Sequence, residues 1–210
     1  MADLKNLKYT HPRLKKFIVF TLSSMKHPRP RLWTRLLVNP FVHKRGRGSK
    51  VCCKARLDVF PWRKFVLGKG AIIEDYAVVN NGAGDLIIGE KSRIGIGSVV
   101  VGPVEIGKST SLGPHVHITG FNHTFEDGER DWNEQGLTLR PVKIGDECLI
   151  GANSCVCAGV TIGNRVQVGA GSVVTKDLPD ACVAVGNPAR VIKLYNPETK
   201  KWERVSNFYF

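Results

Sequence analysis

Aliphatic residues recur at every sixth position along two stretches of this sequence. One series runs from Ile88 to Ile118 and the other from Ile144 to Val174, and all twelve positions carry Ile, Leu or Val. Glycine usually follows the aliphatic residue, and the position four after it is small or compact. A period of six fits neither a helix face, which repeats every ~3.6 residues, nor a simple hairpin. It predicts a chain that turns a corner after each short strand.

Three such strands make one coil, so successive coils stack as parallel strands around a narrow axial core. A weaker register through Leu67, Ile73 and Val79 extends the pattern upstream, and fifteen hexads predict about five coils. We expect glycine or polar residues to relieve the corners. The pattern therefore predicts an all-β fold, a parallel β-helix over residues 65–194. We expect residues 1–64 to form a separate, basic and partly helical N-terminal segment, and residues 195–210 to form a C-terminal tail.

The repeat is most regular in three segments, IGEKSRIGIGSV, IGDECLIGANSC and VTIGNRVQVGAGSVVTKDLPDACVAVGNPARVIK. These segments resemble the hexapeptide-repeat acyltransferases. GSVVTKDLP and VGNPARVIK are similar to the closing pattern of the maltose, galactoside and polysaccharide O-acetyltransferase branch. The resemblance covers about residues 66–194. It implies a left-handed β-helix, in contrast to the usual right-handed crossover, a homotrimer, and transfer of an acetyl group from acetyl-CoA to a sugar or polysaccharide hydroxyl.

The hexad register breaks between Ile118 and Ile144, which are 26 residues apart rather than a multiple of six. A loop over residues 119–143 must therefore leave the coil. Long ordered loops on a rigid scaffold commonly carry function. This loop contains His123, and the resembled enzymes place their general base, a histidine, at the start of the same excursion.

The chemistry of acetyl transfer needs a base, because a hydroxyl is a poor nucleophile until its proton is removed. A neutral imidazole is suited to that step near pH 7, and His123 is the predicted base. An acidic partner would orient the ring and stabilise its charged form. We predict Asp127 in that role, although two glutamates of the same loop are equally near in sequence.

Three residues are candidates for contact with the acceptor. Trp132 and Gln135 would stack on and hydrogen-bond a sugar ring, whereas an aromatic loop residue such as Trp132 is as often an anchor for the loop itself. Asn81 lies at a corner where the hexad register slips, so it either contacts the acceptor or supplies a turn. The pattern does not choose between these roles.

Coenzyme A carries a pyrophosphate and a 3′-phosphate, so its site should combine open backbone amides with cations. By resemblance, five residues match coenzyme-contacting positions, namely Ala152, Ala170, Thr175, Lys176 and Arg190. Arg190 matches a phosphate-facing arginine. For the two alanines the alternative role is coil packing, and for Lys176 it is a solvated corner.

Two other functions use the same coil. A carbonic anhydrase-like protein needs three histidine ligands for its metal. The body contains only His115, His117 and His123, and the first two flank the inward Val116 on the outer surface of one coil. This pattern argues against a metal site, so we expect no metal. The other alternative is a catalytically silent scaffold that assembles polysaccharide enzymes.

Positive charge is concentrated at the N-terminus. The net charge is +13, yet residues 1–64 hold 17 Lys/Arg against 2 Asp/Glu, whereas residues 65–210 hold 14 against 16. No apolar run of about 18 residues and no secretory leader pattern are present. We therefore expect a soluble, cytoplasmic protein with a basic appendage.

The appendage has apolar residues at helical spacing. We predict a helix over residues 10–25, with Thr10 and Pro12 as start signals and Pro28 as a stop. Its apolar face comprises Leu14, Phe17, Ile18, Leu22 and Met25. A second apolar group follows at Leu32, Trp33, Leu36 and Leu37.

Three roles fit this appendage. Its helices would cover the end of the solenoid core. Alternatively, residues 10–56 would contact an anionic membrane surface, which places the protein at the inner face of the membrane and suits lipid-linked sugars. Nucleic-acid binding is the least favoured role, since no stacking-aromatic or groove-reading motif accompanies the charge. No nucleic-acid partner is expected.

Overall fold

The structure is a computed structural model and describes residues 11–24 and 29–205. Two helical pieces precede the coils. The first is α1 (Pro12–Leu22), and the second is a π-helical turn (Thr34–Val38) that continues directly into α2 (Asn39–Val42). We call these pieces together the helical cap.

The body is a parallel β-helix of six coils, each with three short strands. The first two coils contain β1 (Lys44–Arg45), β2 (Lys50–Val51), β3 (Arg56–Asp58), β4 (Phe65–Leu67), β5 (Ile72–Ile73) and β6 (Val78–Asn80). The next two contain β7 (Leu86–Ile88), β8 (Arg93–Ile94), β9 (Val99–Val101), β10 (Val104–Ile106), β11 (Ser111–Leu112) and β12 (His117–Thr119).

An excursion follows the fourth coil, and a hairpin follows the sixth. The excursion contains β13 (Phe121–His123), α3 (Trp132–Gln135) and β14 (Leu137–Leu139). The last two coils contain β15 (Val142–Ile144), β16 (Leu149–Ile150), β17 (Cys155–Val156), β18 (Thr161–Ile162), β19 (Gln167–Val168) and β20 (Val173–Val174). The chain then forms β21 (Cys182–Gly186), β22 (Ala189–Asn196) and β23 (Lys201–Arg204).

Strands on the same side of successive coils pair in parallel, which gives three ladders along the solenoid. Ile106 pairs with Ile88 of the preceding coil and with Ile144 of the following coil. The ladder therefore continues unbroken past the excursion. This arrangement confirms the predicted parallel β-helix, in which equivalent hexad positions lie above one another.

The twelve hexad aliphatic side chains form the axial core, as predicted. None of them is more than 3% exposed. Full burial of one such side chain stabilises a fold by roughly 1.5–3 kcal/mol. The repeat thus supplies one buried aliphatic group per strand, and the stack of coils makes these groups a continuous core.

Small polar residues at the compact hexad positions link one coil to the next. The Ser92 hydroxyl donates to the Gly107 carbonyl over 2.6 Å, and the Thr110 hydroxyl donates to the Gly145 carbonyl over 2.7 Å. The Thr110 amide in turn donates to the Ser92 oxygen over 3.0 Å. Because both residues are fully buried, these bonds satisfy hydroxyl groups that would otherwise destabilise the core.

The hexad glycines are required by the approach of the next coil. A Cβ atom at Gly89 would overlap the backbone of Gly107. The left-handed backbone of the corner lies two residues later, at Lys91 (φ 57°) after Gly89 and at Ser109 (φ 52°) after Gly107. Polar residues such as Lys91 and glycines such as Gly97 (φ 67°) therefore both make turns, as expected, whereas the glycines directly after the aliphatic residues serve coil stacking.

The solenoid is longer than predicted, with six coils instead of five. Its first strand, β1, pairs with β4 and begins at Lys44, so the boundary predicted at residue 65 lies inside the coils. Arg45 occupies the position equivalent to the inward Leu67. The hexad pattern did not identify this first coil, because Arg45 stands where the pattern requires an aliphatic residue. An exposed cation is tolerated at this position since it lies at the end of the stack. At the other end, β22 and β23 include part of the predicted tail.

The helical cap covers the open end of the first coil. The Asn39 side-chain amide donates to the Val59 carbonyl over 2.8 Å, and the His43 ring packs edge-on against Phe65 at 5.6 Å between centroids. Capping was one of the three predicted roles. The predicted apolar face of α1 is divided, since Ile18 is half-buried whereas Phe17 is 63% exposed. Three positions named for this helix, Thr10, Met25 and Pro28, lie outside the described residues.

We expect Gly89→Ala to destabilise the β-helix by about 1–3 kcal/mol, because the added Cβ meets the next coil. Thermal unfolding should show a melting temperature several degrees lower. Gly128→Ala is the matched control, since its Cβ would have no neighbour within 4 Å. Equal melting temperatures for the two variants would contradict this account of the hexad glycines.

The cap should open more readily in acid. Burial lowers the pKa of His43 below its ordinary value of 6.5, and both of its buried ring nitrogens lack a hydrogen-bond partner among the described residues. The unfolded chain therefore takes up a proton at His43 at a higher pH than the folded chain does. The contribution of neutral His43 to the free energy of unfolding is complete above pH 6.5 and is lost as the pH falls below this value. Hydrogen-exchange protection of residues 34–43 should be lower at about pH 5 than at about pH 8. His43→Phe should abolish this difference in protection between the two pH values. A difference that persists in the variant would show that another titratable group causes it.

Candidate active site

The excursion leaves and rejoins the coils through main-chain hydrogen bonds at its base. The Gly120 amide donates to the Val101 carbonyl and the Arg140 amide donates to the Gly120 carbonyl, each over 2.9 Å. Above this base, β13 and β14 form an antiparallel hairpin, with His123 opposite Leu137. The rigid coil below therefore fixes the position at which His123 projects.

His123 lies on β13 between two aromatic rings. Its ring meets Trp132 edge-on at 5.2 Å and Phe121 edge-on at 5.9 Å between centroids. His123 is exposed, and neither of its ring nitrogens is hydrogen-bonded within the described residues. A neutral imidazole whose ring nitrogens are available is able to accept a proton from a bound hydroxyl.

Trp132, for which acceptor contact and loop anchoring were both predicted, lies beside the predicted base. Sequence reasoning missed Phe121, the second ring that contacts His123. Alternate residues of a strand share a face, so Phe121 and His123 would have been paired had the loop been predicted to contain a strand.

Asp127 and Gln135 are joined to each other. The Asp127 amide donates to the Gln135 side-chain oxygen over 3.1 Å, and the Gln135 side-chain nitrogen donates to the Asp127 carbonyl over 2.8 Å. The Asp127 carboxylate accepts from the Glu129 amide over 3.1 Å. No bond between Asp127 and His123 is formed here, so the role of acidic partner stays a prediction. The bonds of Gln135 anchor the loop, a role that was not predicted for this residue, and its contact with the acceptor stays a prediction.

Asn81 is fully buried and belongs to a turn. Its side-chain oxygen accepts from the Phe60 amide over 2.6 Å, and its nitrogen donates to the Phe60 and Arg63 carbonyls over 3.2 and 3.1 Å. Both polar atoms of its side chain are therefore engaged within the protein. Of the two roles predicted for Asn81, this geometry favours the turn over acceptor contact, because a buried amide with three bonds has nothing left to offer a sugar.

Lys176 and Arg190 line one cavity of about 320 Å³ after the last coil. Apolar residues, among them Leu178 and Pro179, form much of its wall, and Asp177 adds one carboxylate. Arg190 is half-buried and donates to the Ala189 carbonyl over 3.1 Å, whereas Lys176 is exposed. Two cations above an apolar wall suit a ligand with a phosphate and a hydrophobic part.

The other predicted coenzyme positions lie on the last two coils. Ala152 and Ala170 are in adjacent coils, and the Gly171 amide donates to the Ala152 carbonyl over 2.8 Å. Ala152 is half-buried, while Ala170 and Thr175 are exposed. Thr175 directly precedes Lys176, but neither alanine contributes to the cavity that Lys176 and Arg190 share.

His115 and His117, which flank the inward Val116, lie on the outer surface of the coil, as predicted. His115 is exposed at a corner with φ 57°, and His117 is exposed with its ring nitrogen 2.8 Å from the Thr119 hydroxyl oxygen. In the part of the chain that the structure describes, no three His, Cys, Asp or Glu side chains are grouped to hold a metal.

Family models match two stretches of the chain. The bacterial transferase hexapeptide model, with six repeats, matches residues 85–120, and the hexapeptide repeat of succinyl-transferase matches residues 141–176. The sequence is 39% identical over 108 residues to a putative lipopolysaccharide biosynthesis O-acetyl transferase of Escherichia coli, covering 48% of this chain and 55% of that protein. It is 36% identical over 99 residues to the galactoside O-acetyltransferase of Escherichia coli, and the match covers 47% of this chain and 48% of that protein.

A third relative, a probable acetyltransferase of Mycobacterium tuberculosis, is 30% identical over 173 residues, which cover 78% of this chain and 56% of the relative. The chain thus spans about half the length of these curated relatives.

Solved structures share the fold. A maltose O-acetyltransferase from Clostridium difficile superposes with a TM-score of 0.50 at 28% identity, covering 90% of this chain and 87% of that one. An N-acyltransferase from Bacillus cereus, solved with dTDP-4-amino-4,6-dideoxyglucose and coenzyme A, superposes with a TM-score of 0.66 at 22% identity. The match covers 80% of this chain and 92% of that one. This chain belongs to the hexapeptide-repeat acyltransferase superfamily, and its coils form the left-handed β-helix of that superfamily.

We expect Gln135→Glu to loosen the excursion. The variant keeps the oxygen that accepts from Asp127 but loses the donors to the Asp127 and Arg130 carbonyls. At about 1 kcal/mol per bond, hydrogen-exchange protection of residues 127–135 should fall roughly 5- to 30-fold. Gln167→Glu is the control, because Gln167 is exposed on a coil strand. Unchanged exchange together with a higher KM for a sugar would instead assign Gln135 to acceptor binding.

Proposed function

We propose that this protein is an acetyl-CoA-dependent O-acetyltransferase that modifies a hydroxyl of a sugar or polysaccharide. The observation that carries the proposal is His123, exposed between two aromatic rings with both ring nitrogens available, on the loop that leaves an acyltransferase β-helix. The relatives named as O-acetyltransferases support a hydroxyl acceptor. The neighbour that is an N-acyltransferase supports the wider reaction class.

In the proposed mechanism, His123 acts as general base in a direct attack. Its imidazole takes the proton of the acceptor hydroxyl while the hydroxyl oxygen bonds to the thioester carbonyl carbon. The carbon–sulfur bond then breaks, the acetyl group stays on the sugar oxygen, and the imidazolium returns its proton to the thiolate. Asp127 is the proposed partner of the imidazolium, and Trp132 offers its ring face to the sugar.

The donor would be held at the end of the solenoid. Lys176 and Arg190 are proposed to bind the phosphates of coenzyme A, because they supply two positive charges to one cavity. Ala152, Ala170 and Thr175 are proposed to offer main-chain groups along the last two coils. The active form is proposed to be a cytoplasmic homotrimer, in which the β-helices of the three subunits lie side by side.

Thiol release from acetyl-CoA, measured against a panel of mono- and oligosaccharides, tests this function. We expect sugar-dependent release, with kcat lowered by about 10²- to 10⁴-fold in His123→Ala, because the base is lost. The KM for acetyl-CoA should not change. His117→Ala, which removes an exposed histidine of the fourth coil, is the matched control and should retain kcat.

Direct binding of acetyl-CoA distinguishes the remaining outcomes. Sugar-dependent release that survives in His123→Ala would overturn the assignment of the base. Protein that fails to bind acetyl-CoA would overturn the transferase proposal and favour an assembly scaffold.

A further inference from the structure

The outer surface of the helical cap is strongly apolar. Eight large hydrophobic side chains, six in the cap and two at Leu32 and Trp33 directly before its π-helical turn, are at least 44% exposed. The most exposed are Phe17 (63%), Leu32 (67%), Leu36 (63%), Leu37 (67%) and Phe41 (87%). The cap of a solenoid normally turns a polar face to water. This cap covers the first coil and at the same time presents a second hydrophobic surface.

Hydrogen bonds hold the parts of the cap in one orientation. The Thr34 hydroxyl donates to the Leu22 carbonyl over 2.9 Å, and the Arg31 side chain donates to the Phe20 and Ser23 carbonyls over 3.2 and 3.1 Å. These bonds join α1 to the second helical piece, which Asn39 joins to the coil. The apolar surface is therefore a fixed feature of the fold.

Positive charges are interspersed with these apolar groups. Arg13, Lys16, Phe17 and Phe20 are all exposed, and their spacing places them on one face of α1. Arg35 and Arg45 line a cavity of about 470 Å³ together with Leu32 and Leu36. No acidic residue occurs between residues 4 and 57. The surface is therefore both apolar and uniformly cationic.

This combination favours a lipid surface over other occupants. Exposed phenylalanine and leucine beside lysine and arginine are typical of helices that lie in the headgroup region of anionic membranes. A second copy of the same face would bring like charges together, and a nucleic acid would leave the apolar groups without partners. No helix among the described residues is long and apolar enough to span a bilayer.

We propose that the helical cap docks the β-helix on an anionic membrane surface. The apolar side chains enter the boundary between headgroups and acyl chains, while the cations contact lipid phosphates. This docking is independent of the proposed catalytic function. If that function holds, docking brings the loop with His123 to acceptors that are carried at the membrane.

Vesicle sedimentation of the full chain tests the proposal. Phosphatidylcholine vesicles that contain phosphatidylglycerol should bind the protein, pure phosphatidylcholine vesicles should bind it weakly, and high salt should weaken both. Arg13→Gln with Lys16→Gln should lower the partition coefficient roughly 10- to 30-fold. The same charge change at the far end, Lys200→Gln with Lys201→Gln, is the matched control.

The apolar contribution needs its own variant. Phe17→Ser with Phe41→Ser should reduce partitioning by about tenfold or more, because less apolar area enters the interface. Trp202→Ser, which removes an aromatic ring 41% exposed in the hairpin, should have no effect. Circular dichroism and light scattering check that fold and oligomeric state are retained.

Two results would overturn the proposal. One is wild-type protein that sediments equally with neutral and anionic vesicles or with neither. The other is a change of oligomeric state in Phe17→Ser with Phe41→Ser in the absence of vesicles, which would make this surface a subunit interface.

Discussion

Successive coils of this protein stack backbone against backbone, and the rest of the structure depends on that close approach. Hydrogen-bonded strands lie about 4.8 Å apart, which leaves no room for a side chain directed along the stack. Gly89 faces the backbone of Gly107 for this reason. The Ser92 hydroxyl reaches across the same gap to the Gly107 carbonyl. One spacing thus explains the glycine and the compact residue of each hexad.

The same constraint determines where the chain is able to vary. A residue added within a coil would shift every strand after it and turn core side chains outward. An excursion that leaves and returns at a coil edge has no such cost, since Ile106 still pairs with Ile144 on the far side. The long loop with His123 lies at a point of this kind. The hexad coils therefore supply the rigid scaffold, and the excursion between them carries the residue proposed for the chemistry.

Periodic features of this fold could be predicted from sequence, whereas local ones could not. The twelve hexad positions identify the core because each repeats the same environment. The first coil was hidden because Arg45 replaces an aliphatic residue where no further coil covers it. The slip of the hexad register indicated a corner at Asn81 but left its role open, and the bonds between Asp127 and Gln135 occur once, so no repeat predicts them. His123 was found by resemblance, but its neighbours Phe121 and Trp132 depend on how the loop folds.

A solenoid has two ends, and this protein closes them with different chemistry. The end after the sixth coil carries an antiparallel hairpin next to the cavity of Lys176 and Arg190. The other end carries the helical cap, in a segment with 17 basic and 2 acidic residues. At the hairpin end, Lys176 and Arg190 line one cavity, which suits a single phosphate-bearing ligand. Charge on the cap side is spread over a broad apolar surface, which suits an extended anionic surface instead. Because the coils between the ends are rigid, the proposed donor site and the proposed membrane contact are held apart at a fixed distance.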